Sequence, residues 1–152
     1  MLFHRLRPWM LKGILNLYGP YLGAGVRIRR IDPEWRTLDV DLSLHWYNRN
    51  AVGTHFGGSL YSMVDPHLML LLMQRLGPDY IVWDKAASIQ FLSPGKGTVT
   101  CSVGITDEAV ERIKQATDDG AVHLPEFTLE VKDADSSVVA SIHKQLYVRK
   151  KK

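Results

Sequence analysis

The chain has 152 residues, 45% hydrophobic and 23% charged, a length and balance that suit one globular domain with a core of its own. Its formal charge of +3 and pI near 9.0 are too mildly basic to argue for a nucleic-acid partner, and no apolar run reaches the ~18 residues of a spanning helix. A single cysteine, Cys101, excludes an internal disulfide and suits a reducing compartment such as the cytoplasm; the N-terminus lacks the pattern of a secretory signal.

Leu2, Phe3, Leu6, Trp9, Met10, Ile14, Leu15 and Leu17 recur at helical spacing and predict an N-terminal amphipathic helix over residues 1–18, broken or restarted at Pro8. Arg5, Arg7 and Lys12 would let such a helix lie on an anionic membrane. One short segment seldom gives lasting attachment, however, so the expectation is a helix docked on its own domain, with no stable membrane attachment. Gly19-Pro20 is expected to end this helix, and residues 19–152 to form a single domain. Val26–Ile31 reads as a first strand after Gly23-Ala-Gly25. Beyond the turn at Asp32-Pro33-Glu34, Leu38, Val40, Leu42, Leu44 and Trp46 alternate with polar residues as a half-buried strand.

The next stretch organises the rest. A loop carrying Asn50 and His55 leads through Phe56 into Gly57-Gly58, and from Ser59 to Leu76 nearly every helical angle is apolar, the mark of a buried helix. Ser59, Ser62 and Asp65 fall at i, i+3 and i+6, a narrow polar stripe on that rod. An unpaired carboxylate there costs several kcal/mol or holds its proton, so Asp65 needs a partner or a function. Pro66 leaves two readings open: Asp65 is the N-cap of a helix that starts late, or it faces a pocket from a kinked helix, which is the reading preferred here.

Gly77-Pro78-Asp79 turns the chain into a second long strand, Ile81 to Leu92, and Pro94 to Gly97 into a third, Thr98 to Ile105, where Cys101 reads as a buried structural thiol. Thr106 can N-cap a helix over Asp107–Asp118 with one apolar face. Strands follow around Phe127–Val131 and over Val138–Val148, joined by a turn at Asp133–Ser137. Lys144 and Lys85 break the alternation, both falling where apolar residues point. They snorkel at an edge or interface, pair with carboxylates such as Asp84, or meet an anionic group of a substrate. His45, His55 and His67 lack zinc-site spacing, so no metal is expected.

Strands, one long buried helix and a run of antiparallel strands give an α+β order in which a sheet wraps a helix. With Asn50, Gly57-Gly58, Asp65 and the Asp84-to-Gly95 strand, the chain beyond its N-terminal helix resembles the hotdog-fold thioesterase superfamily. It is most similar to the branch of 4-hydroxybenzoyl-coenzyme A and phenylacetate-pathway thioesterases. Phe56 stands where that branch has a histidine, with His55 displaced by one, which suggests an uncharacterised thioesterase-like branch.

The resemblance implies hydrolysis of an acyl thioester of coenzyme A or a carrier protein, without a cofactor, by a homodimer or homotetramer. Asp65 would be nucleophile or base, Gly58 and its neighbour would supply the oxyanion donor, and Asn50 would orient water or the carbonyl. Gly57, His55, Phe56 and Ser62 would bind substrate. Glycines at a helix start let a substrate carbonyl approach backbone amides, which suits that chemistry. A non-catalytic acyl- or lipid-binding, or membrane-associated, hotdog module is the alternative, favoured by the Phe56 departure and by the basic N-terminal helix. A hydroxyacyl dehydratase is a weaker one, since His55-Phe-Gly-Gly only partly matches that family.

Overall fold

The computed structural model describes residues 6–152, so Leu2 and Phe3 of the predicted N-terminal helix lie outside the described residues. In chain order the elements are α1 (Pro8–Asn16), α2 (Gly19–Ala24), β1 (Val26–Ile31), β2 (Thr37–Ser43), α3 (Gly57–Ser62) and α4 (His67–Leu76). After these come β3 (Tyr80–Phe91), β4 (Thr98–Gly104), α5 (Asp107–Ala116), β5 (Val122–His123), β6 (Glu126–Lys132) and β7 (Val138–Lys150). The strands form one antiparallel sheet in the order β1-β2-β4-β6-β7-β3, with β5 added alongside β7.

Alternation decides which face of the sheet is dry. Leu38, Val40 and Leu42 of β2, Val99, Cys101 and Val103 of β4, and Ala140, Ile142, Leu146 and Val148 of β7 are all buried. They close on Leu68, Leu71 and Leu72 of α4 and on Leu60 of α3, so the sheet curls around the central helices in one core cluster. Cys101 lies within this layer, and burial pushes its thiol up to about 12, as befits a structural residue.

Three local outcomes differ from the sequence expectation. Gly19-Pro20 does not end a helix but opens a second one: Pro20 sits in the first turn of α2, where its missing N–H costs nothing, and Gly25 closes that helix at φ 82°. The expected single helix from Ser59 to Leu76 is broken into α3 and α4 by the turn at residues 63–66, where the Asp65–Pro66 peptide is cis. Pro66 itself occupies the cap position of α4 and no side chain caps that helix, so Asp65 is not its N-cap. Finally, β2 stops at Ser43, and Leu44 to Trp46 leave the sheet with Trp46 in solvent.

The helix predicted to begin after Thr106 does so, the Thr106 side chain accepting a hydrogen bond from the Ala109 amide. At the N-terminal side, α1 turns Leu11 and Leu15 into the core. Asn16 then bonds both the amide and the carbonyl of Ile28, covering the free edge of β1. The opposite edge strand, β3, is long and largely exposed. Among the described residues no helix is long and apolar enough to cross a membrane.

Candidate active site

The site grows from a slip in register. In β3, Val82 and Asp84 oppose Val148 and Leu146 of β7, whereas Ala87 and Ile89 oppose Lys144 and Ile142. Lys85 is the extra residue of a bulge between Asp84 and Ala86, so even positions face the core before it and odd positions after it. Asp84 is thereby turned inward, and Lys85, expected on the apolar face, lies exposed. Trp83 faces the other way and stacks on Tyr147, ring centroids 4.0 Å apart.

Lys144 keeps its expected inward direction and is 0% exposed. Its ammonium is shared between two carboxylates, donating to Asp65 Oδ1 at 3.0 Å and lying 2.9 Å from Asp84 Oδ1. The expected carboxylate partner is therefore present, and a second one joins it. Burial opposes the Lys144 charge, but the Asp84 contact and then Asp65 outweigh it and hold its pKa above the ordinary lysine value. Burial pushes the Asp84 carboxyl up, more than the Lys144 ammonium draws it down. The tyrosine hydroxyl of Tyr61 donates to Asp65 Oδ1 at 3.4 Å, while Oδ2 takes no part in these bonds and the side chain is 42% exposed.

The break between α3 and α4 is also fastened from behind. Tyr21 of α2 donates its hydroxyl to the Asp65 carbonyl at 2.6 Å, and its oxygen lies 3.5 Å from Nε2 of the fully buried His67. Burial, with the nearby Lys144 ammonium, pushes the His67 pKa down to about 3. Below its ordinary 6.5 an unfolded chain protonates this ring and the folded chain does not. Stability should therefore fall as pH drops from about 6.5 toward 3, by up to ~1.4 kcal/mol per pH unit from this group. We expect His67→Gln to flatten that slope in urea denaturation between neutral and mildly acidic pH. Equal slopes in the two proteins would show that folded His67 takes up a proton.

At the other end of α3 lies an open cleft of about 660 Å³, its walls including His55, Gly57, Leu60, Phe91, Pro94 and Lys96. The amides of Gly57 and Gly58 begin α3 after Phe56, and neither is used in a bond among the described residues. Both glycines lie close under aromatic rings: a Cβ on Gly57 would stand 2.9 Å from the Phe91 ring, and one on Gly58 2.5 Å from the Phe56 ring, so a side chain at either would have to push an exposed ring aside.

Asn50 is fully occupied. Its Nδ2 donates to Thr54 Oγ1 and the His55 carbonyl, and its Oδ1 accepts from the amides of Val52 and Thr54, which folds the 50–55 loop on itself. His55 is buried with Nε2 at 3.0 Å from the Gly97 carbonyl, and burial lowers its pKa. Ser62 ends α3 and does not line the cleft. One chain thus gathers Asn50, His55 and Gly57 at the cleft and leaves Asp65 beyond the far end of α3, about 9 Å of helix away. Sequence reasoning passed over Tyr21, Tyr61 and the joining of Asp65 to the Lys144–Asp84 pair. The inward lysine was the one available signal, since only long-range pairing brings the rest together.

The fold is shared with known structures over nearly the whole chain. A Pseudomonas aeruginosa protein of unknown function, PA5026, described as a probable thioesterase, is similar at a TM-score of 0.85 and 16% identity, covering 97% of this chain and 99% of that one. The Haemophilus influenzae thioesterase HI1161 gives 0.69 and 12%, covering 99% and 96%. The E. coli PaaI protein of the phenylacetic acid degradation operon gives 0.61 and 15%, covering 91% of each chain. The antiparallel sheet wrapped on central helices is the α+β hotdog fold that this chain shares with them. No curated protein matches the sequence. With a match running from residue 7 to residue 148, from the start of α1 almost to the end of the sheet, the chain belongs to the family described as a domain of unknown function, DUF4442.

Proposed function

We propose that the protein is a thioesterase that hydrolyses an acyl thioester of coenzyme A or of a carrier protein, in the cytoplasm and without a cofactor. The observation that carries this reading is the state of Asp65. One carboxylate oxygen is gripped by a buried ammonium while the side chain stays partly open to solvent, so the other oxygen is positioned to attack a carbonyl or to take a proton from water. Water adds to the thioester carbon, the oxyanion is met by the amides of Gly57 and Gly58, and the thiol leaves with a proton. Lys96 at the cleft mouth is a cation suited to an anionic carrier group.

In one chain the acid and the amides lie at opposite ends of α3, so the reading calls for a second copy that brings its Asp65 toward this cleft. The open β3 edge offers a place for that copy to pair, strand against strand. A homodimer or homotetramer is the expected assembly. A second reading, a non-catalytic acyl-binding module, is favoured by Phe56 over Gly58 and by a His55 engaged with Gly97.

A panel of short, long and aromatic acyl thioesters assayed for free thiol separates the two. Release well above the uncatalysed rate for one class, from a protein that sediments as a dimer or larger, is the expected result. Tight acyl binding with background release would decide for the binding module.

A further inference from the structure

An amphipathic helix that has buried one face should show a polar one to water. α1 does not. With Leu11 and Leu15 turned to the core, its outer side carries Trp9, 68% exposed, Met10, Ile14 and Leu17, 78% exposed. The apolar surface continues over Tyr18, which precedes α2, and over Leu22 of α2, and then across a hollow of about 310 Å³ lined by Leu22, Arg27, His45 and Tyr47. Beyond it stands Trp46, 83% exposed and in edge contact with Tyr47. An apolar and aromatic surface of this extent on a soluble chain marks an interaction site.

Charge identifies the occupant. Residues 1–31 contain Arg5, Arg7, Lys12, Arg27, Arg29 and Arg30, and the first carboxylate is Asp32, although the whole chain carries only +3. Arg29 and Arg30 are paired with Asp41 and Asp39. Arg7, Lys12 and Arg27 have no ion-pair partner among the described residues, and these are the ones beside the apolar face: Arg7 caps α1, Lys12 lies on its flank and Arg27 lines the hollow. A second copy laid on this face would oppose the same cations to one another, and the open strand edge for copy-to-copy pairing is at the other end of the sheet.

We propose that the outer face of α1 and α2, with the adjoining loop at residues 45–47, is a reversible docking surface for an anionic lipid bilayer. Leu17, Leu22 and Ile14 enter the boundary of the acyl chains, Trp9, Trp46 and the tyrosines sit at headgroup level, and the unpaired cations meet lipid phosphates. The sequence reading of a helix docked on its domain agrees with the buried Leu11 and Leu15; the second apolar face, hidden in the linear pattern, adds a weak and salt-sensitive attachment. The inference does not rest on thioester hydrolysis.

Co-sedimentation of the full chain with phosphatidylcholine–phosphatidylglycerol vesicles, beside pure phosphatidylcholine vesicles, tests it. Binding should be at least about tenfold stronger to the anionic vesicles and should weaken as salt is raised. Lys12→Gln should weaken it by about fivefold. Trp9→Ser combined with Leu17→Ser should remove most of it with an unchanged thermal melt, since both side chains stand in solvent. No binding, equal binding to both vesicles, or binding untouched by these substitutions would overturn the proposal. So would self-association in sedimentation velocity that the paired substitution abolishes, which would assign the face to a second copy.

Discussion

Asp65→Asn should leave the protein folded and lower thioester turnover by about two orders of magnitude or more, the scale of losing a positioned acid–base or nucleophilic group. The fold should survive because the volume hardly changes and Lys144 keeps Asp84 as its counter-charge at 2.9 Å. An amide can still accept from Lys144 through its oxygen, but it can neither attack as an anion nor take a proton from water. Asn50→Ala should behave differently. Its side chain makes four bonds inside its own loop, so the loss should appear as a lower melting temperature and a smaller fall in turnover. Full activity in Asp65→Asn would remove Asp65 from the reaction and leave the ion-paired cluster a purely structural device.

The second large effect is expected at Lys144. Lys144→Met fits a long apolar chain into a site already dry, yet strands Asp84 and Asp65 together without their cation. Removing one member of a buried pair costs ~3–5 kcal/mol, and because Asp65 is 42% exposed and can rehydrate, we expect a loss toward the lower end. Adding Asp84→Asn should restore much of it, since the deficit arises from stranded charge rather than from a cavity. Urea denaturation of the single and double variants measures this directly. A single variant as stable as the parent, or a double variant no better than the single, would mean that the carboxylates are relieved by water or by protonation. Burial has already raised the pKa of Asp84, so the rescue should be larger at high pH than at low pH, where Asp84 of the single variant is protonated and leaves no charge to strand.

The local pattern by itself determined most element types. Period-two alternation located β2, β4 and β7, the Thr106 cap with a single apolar stripe located α5, and the apolar density after Gly57-Gly58 located the buried centre. It also isolated Asp65 and Lys144 as charges in apolar surroundings, because a buried charge is costly enough to stand out in one dimension. What it could not contain is phase and partnership. The bulge at Lys85 adds one residue to β3 and so reverses which side chains face inward, a choice made by pairing with β7 and invisible to strict alternation. The break at residues 63–66 likewise replaces one long rod by two helices, and Tyr21, 44 residues earlier in the chain, fastens it. Asp65, Asp84 and Lys144 become one cluster only because the sheet curls around that break, and the second apolar face of α1 becomes visible only once Leu11 and Leu15 have shown which face the core took.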